Sequence, residues 1–146
     1  MGNARSDINF FYDSVDFTFR NRTKLKSFIK TMIRKENKKL SYISYIFCTD
    51  KSLLYLNRKF LNHNYRTDIL TFPLSNNSSI QAEIYISIDR VKENARIFNI
   101  SFNKELIRVI FHGVLHLTGY KDRTLREKKE MRAKEDEYLQ LYQSFT

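Results

Sequence analysis

His112 and His116 are two of the three histidines in a 146-residue chain, four residues apart in Phe111-His-Gly-Val-Leu-His-Leu-Thr-Gly-Tyr-Lys-Asp122. On a helix that spacing puts both imidazoles on one face, with Cβ atoms about 5–6 Å apart, so both can converge on one ion. Zinc suits such a pair, with Zn–N distances near 2.0–2.1 Å. Gly119 is a natural stop for the helix, and a chain reversal there carries Asp122 toward the same point. The set is then His112, His116 and Asp122, with a fourth position open to water, as in catalytic rather than structural zinc sites. The competing reading is an ordinary buried helix with two incidental imidazoles. A zincin protease needs glutamate directly after the first histidine as general base. Here that position is Gly113, so the protease reading lacks its catalyst.

The helix that must carry the pair has Leu106, Val109, Ile110, Gly113 and Leu117 along one side. Asn103 is its expected cap, and Glu105 sits well in its first turn. Thr124-Leu-Arg-Glu127 is a capping box that opens the last helix, where Met131, Glu135, Tyr138 and Tyr142 share a face. Upstream, Ile8 to Tyr12 is β-prone, and Leu25, Phe28, Ile29, Met32 and Ile33 form the stripe of an amphipathic helix. Tyr42 to Thr49 reads as a buried strand. Thr49 or Asp50 caps a second helix with Leu53, Leu56 and Phe60 inward. Thr67 to Phe72 reads as a strand stopping at Pro73, and Ser75 to Ser79 as a turn. Ile80, Ala82, Ile84, Ile86 and Ile88 then alternate with polar residues in a strand hairpinned to the previous one. Asp89 is the expected cap of a helix with Val91, Ala95 and Phe98 inward. The class is α+β: one domain over residues 1–146, a small mixed sheet of about four strands packed by about five helices. The metal site falls on a helix and the turn after it.

Hydrophobic content of 42%, with 12 Phe and 9 Tyr, argues against disorder. A single cysteine, Cys48, excludes an internal disulfide and every multi-cysteine zinc module, and reads as a small core residue. No stretch approaches the roughly 20 apolar residues of a membrane span. The polar N-terminus has no signal-peptide core, and the match of Met1 to Ser6 to the myristoylation pattern is short enough to be chance. The expected location is the cytoplasm. The net charge of +10 is concentrated: residues 22–39 hold eight Lys or Arg against Glu36 alone. Such density is the electrostatic footprint of nucleic-acid binding, against the blander reading of a solvated face that keeps the protein soluble. Lys26, Lys30 and Lys35, off the apolar stripe, are the candidate RNA contacts.

Residues 112–120 match throughout His-Gly-x-Leu-His-Leu-x-Gly-Tyr, the signature of the YbeY endoribonucleases, bacterial rRNA maturation factors, and the chain resembles that family over nearly its whole length. Leu56-Asn57 followed by Thr67-Asp-Ile-Leu-Thr-Phe-Pro73 looks like the family's "LN…TDVLSFP" block. Ala82-Glu83-Ile84 stands where the family usually has Gly-Asp-Ile, and Glu105-Leu106, Met131 and Glu135 fall at family-like spacings. Two departures stand out. The family commonly has a histidine as third ligand where this chain has Asp122; a carboxylate can bind zinc, with altered affinity. The family arginine shortly after Leu-Asn corresponds by spacing to Leu61, and Arg66 is the candidate substitute.

The resemblance implies a single-strand-preferring endoribonuclease with one zinc ion, acting on ribosomal RNA of the small subunit as a cytoplasmic monomer, with neither DNA nor membrane as partner. Asp68 and Glu83 are the candidate general bases, while His63 reads as a solvent-exposed loop residue. Two other functions stay open: a non-catalytic ribosome assembly factor whose metal pins a helix to its turn, and a metal-dependent hydrolase of a small substrate.

Overall fold

Apolar alternation and helix caps lay out nine elements in the computed structural model, which describes residues 7–63, 67–74 and 79–146. They run β1 (Ile8–Tyr12), α1 (Arg22–Lys35), β2 (Lys39–Cys48), α2 (Asp50–Leu61), β3 (Ile69–Pro73), β4 (Ser79–Ser87), α3 (Ile88–Phe98), α4 (Phe102–Leu117) and α5 (Leu125–Gln143). Arg66, the segment Met1 to Ser6 and most of the expected turn, Ser75 to Ser78, lie outside the described residues. The strands form one mixed sheet in the order β1-β2-β4-β3. β1, β2 and β4 are parallel, with α1 as the crossover between the first two, and β3 pairs antiparallel with β4 as a hairpin.

The period-2 pattern decides which face each residue takes. Ile80, Ile84 and Ile86 of β4 and Ile43, Tyr45 and Phe47 of β2 join the main core, packed by the apolar faces of α1, α3, α4 and α5. All five expected stripe residues of α1 are buried. The opposite face carries a smaller cluster of Cys48, Leu53 and Leu70, with Leu56, Phe72 and Tyr85 against it. Among the described residues, no helix is long and apolar enough to cross a membrane.

Several local expectations need correcting. Ser87, not Asp89, caps α3, its hydroxyl accepting from the Arg90 N–H at 3.1 Å. Asp89 serves the neighbouring helix instead, accepting from the Asp50 N–H at 2.8 Å at the start of α2. Ser101 caps α4, accepting from the Lys104 N–H at 3.1 Å, so Asn103 already lies inside the first turn. Pro73 closes β3 rather than stopping it one residue earlier, which an edge strand tolerates because one side needs no N–H. Phe60 and Phe98 are exposed. Each sits in the last turn of its helix, where the periodicity continues after the surface to bury against has ended.

Candidate metal centre

Helix α4 brings the histidines to the sheet through Gly113. A Cβ there would stand 3.0 Å from Ile69 Cδ1 and 3.2 Å from Ile84 Cδ1, so the absence of one lets the helix lie close against β3 and β4. The helix ends in a Schellman motif: Tyr120 N–H donates to Leu115 C=O at 3.0 Å and Gly119 N–H to His116 C=O at 3.1 Å. Gly119 has φ +117°, a region that side chains resist. The turn is anchored by the lone acid of the basic segment. Tyr120 donates its hydroxyl to Glu36 Oε1 at 2.9 Å, and Tyr138 of α5 donates to the other carboxylate oxygen.

This reversal returns Asp122 to the histidines, its Oδ2 3.4 Å from His112 Nε2 and its Oδ1 3.9 Å from His116 Nε2. One potential ligand atom from each of the three lies within 4.8 Å of the others, so the group could hold a metal ion. The imidazole arrangement supports that fit. His112 Nδ1 lies 2.6 Å from Glu135 Oε2, so its proton belongs on that nitrogen and the Nε2 lone pair faces the shared point. Burial and the neighbouring His112 hold His116 below the ordinary imidazole value, which favours the neutral, ligating form.

Behind the imidazoles runs a chain of buried charge. Arg108 Nη1 donates to Glu135 Oε1 at 2.8 Å, and the same guanidinium makes two bonds to Glu105, a fully buried carboxylate. Asn94 of α3 donates to Asp68 Oδ2 at 3.2 Å and reaches Glu105 Oε2 at 3.5 Å. Burial pushes Glu135 up, but hydrogen bonds from His112 and Arg108 outweigh it and hold its carboxyl below the usual range. Asp68 goes the other way, raised by burial with only partial compensation from His112 and Arg108. Two carboxylates, Asp122 and Glu135, thus face the imidazoles directly, while Arg108 ties Glu135 to Glu105 behind them and Arg132 Nη1 stands 3.7 Å from Glu135 Oε1. A divalent cation fits where the Nε2 atoms of both histidines and the Asp122 carboxylate meet.

The site opens into a cleft of about 730 Å³ between α4, α2 and the β3–β4 hairpin. Asp68 lines it together with His112, His116 and Asp122, while Leu61 forms part of its wall. Glu83 does not line it: as the strand alternates, this residue faces away from Ile84 and the main core, accepting from the Tyr85 hydroxyl at 2.9 Å. His63 is exposed, as expected, at the rim of the cleft. Among the described residues, the Lys and Arg on its walls are Lys38 and Arg123. Lys26, Lys30 and Lys35 lie elsewhere on the surface. Lys30 pairs with Asp7 at 3.6 Å, while Lys26 and Lys35 lie over the rings of Phe10 and Tyr138 at 5.1 and 5.9 Å.

Sequence reasoning missed the support of the site. Glu135 reads as one member of a helix face at a family-like spacing, with no partner assigned, and Arg108 and Asn94 draw no notice. A signal did exist, since a glutamate between Met131 and Tyr138 on a buried stripe must find a partner.

Comparison with known proteins agrees with the motifs. A family model described as Endoribonuclease YbeY matches residues 8–143. A curated protein of Cytophaga hutchinsonii named Endoribonuclease YbeY is 47% identical over 92% of this chain and 94% of its own length. One of the same name from Flavobacterium psychrophilum is 45% identical over 92% and 96%. A solution structure of a Thermotoga maritima protein superposes with a TM-score of 0.63 at 30% identity, covering 92% of this chain and 88% of that one.

Proposed function

Because the chain belongs to the Endoribonuclease YbeY family, we propose that it is a metal-dependent endoribonuclease that cleaves single-stranded RNA, matures the 3′ end of small-subunit ribosomal RNA and serves ribosome quality control in the cytoplasm. The observation that carries the reading is the convergence of His112, His116 and Asp122 at the mouth of an open cleft, with Glu135 setting the tautomer of His112. A zinc ion held there would supply a Lewis acid to withdraw charge from a phosphoryl oxygen. The remaining work falls to this chain's own groups. Lys38 and Arg123 hold backbone phosphates on either side of the scissile bond. Asp68, with its raised carboxyl pKa, sits in the cleft to exchange a proton with the reacting oxygen. Ribosomal RNA and the small subunit are the partners in this reading, and the enzyme works as a monomer.

The alternative is a non-catalytic assembly factor, favoured by how thoroughly the turn after α4 is tied down through Glu36 and Asp122. Incubating the purified protein with a single-stranded RNA and with its duplex separates the two. Cleavage of the single strand alone, lost in His116→Ala and reduced at least a hundredfold in Asp68→Asn, is expected of the enzyme. RNA that is bound but left intact by the parent protein would make it an assembly factor.

A further inference from the structure

Helix α2 ends in a surface that the fold leaves unexplained. Phe60 and Tyr55 are each 59% exposed, and exposed aromatic patches beside a cleft mark binding sites. Phe60 lies against β3, one of the two edge strands of the described sheet, and meets it in a T-shaped contact. Its ring stands at 77° to Phe72 with centroids 6.2 Å apart. Phe72 meets Tyr85 in turn at 86° and 5.7 Å. Lys59 serves both exposed rings, its ammonium 5.5 Å from each centroid and donating to the Tyr55 hydroxyl at 3.3 Å. Leu61 beside Phe60 and Asn57 one turn before it line the metal cleft, so the patch borders that cleft along α2, while Phe72, paired with Glu83, supports the Phe60 ring from the opposite face of the sheet.

We propose that Phe60, with Lys59 and Tyr55 beside it, forms a ledge on which bases of single-stranded RNA stack as the strand leaves the metal cleft. The proposal rests on the endoribonuclease reading above and adds where the substrate is gripped. A flat ring accepts any base, so stacking gives affinity without sequence preference. The ammonium between the rings matches the phosphates that accompany stacked bases, whereas an apolar protein surface would leave that charge unmatched. A duplex keeps its bases inside and cannot use the ledge, so the feature also accounts for single-strand preference. It is a positioning device beside the chemistry and takes no part in it.

The test is titration of zinc-loaded protein with a single-stranded oligonucleotide of RNA, at several salt concentrations. Phe60→Ala should weaken binding about tenfold or more, with metal content and duplex binding unchanged. Phe60→Trp should keep the affinity, and because the chain has no other tryptophan, its fluorescence should be quenched directly by a stacked base. Lys59→Gln should lower the slope of log affinity against log salt by about 0.7. Single-strand affinity and cleavage that survive Phe60→Ala, with no quenching of the introduced tryptophan, overturn the ledge alone. The same survival combined with a change in solution mass would mark the patch as a contact between copies of this chain, again overturning it. A parent protein that binds no single-stranded RNA overturns the functional reading and the ledge together.

Discussion

Asp122 is the residue on which the proposed metal site depends most. Asp122 is not needed to cap the helix that follows it, because Thr124 accepts from the Glu127 N–H while Glu127 returns to the Thr124 N–H. Asp122→Asn should therefore lower zinc affinity sharply in a competition titration, while Asp122→His should retain the metal; a silent Asp122→Asn would remove it from the ligand set. Glu135 acts one step back, by holding the proton of His112 on Nδ1. Glu135→Gln should cost about 10–100-fold in metal affinity, the usual effect of losing a ligand's orienting partner. It should also change the acid limb of stability. A carboxyl held below its ordinary value stabilises fully above about pH 4.3 and loses that contribution as pH falls through its folded value. The variant's unfolding free energy, measured by denaturant against pH, should consequently fall less steeply in acid than the parent's.

At the scale of elements, the seat of α4 on the sheet is the sensitive joint. Glycine within a helix usually gains about 1 kcal/mol on replacement by alanine, but Gly113→Ala would press a methyl into Ile69 and Ile84. Overpacking of this kind costs about 1–3 kcal/mol, so denaturant unfolding should show net destabilisation with zinc affinity falling as the histidines shift. Local chemistry made much of this architecture readable. The stripe of α1, the Thr124 capping box and the alternation of β4 depend on neighbours in sequence. So do the helical spacing of His112 and His116 and the stop at Gly119. What could not be read depends on partners brought together only by the fold. The strand order β1-β2-β4-β3 is set by pairing across long crossovers, Asp89 caps a helix other than its own, and Glu135 meets His112 from 23 residues away. Phe60 follows the periodicity of a buried face yet lies where that face runs out.

For the molecule as a whole, five of the 26 Lys and Arg behind the +10 charge bear on the proposed RNA binding, in two groups. Lys38 and Arg123 line the cleft, while Lys26, Lys30 and Lys35 lie off it and have internal contacts. If all five meet RNA, the first pair grips the strand at the site and the others add long-range attraction. Replacing Lys26, Lys30 and Lys35 by Gln should lower the salt slope of single-strand binding by up to about 0.7 per lost contact without unfolding the protein. Unchanged affinity and slope would make that charge a solubility device. Whether His112, His116 and Asp122 hold the ion on which RNA cleavage depends is decided by returning zinc to chelator-stripped protein while following cleavage of a labelled single-stranded RNA. Activity should rise from background and saturate at one equivalent, with no recovery in His116→Ala. Full activity in the stripped protein, or equal recovery in His116→Ala, would contradict that assignment.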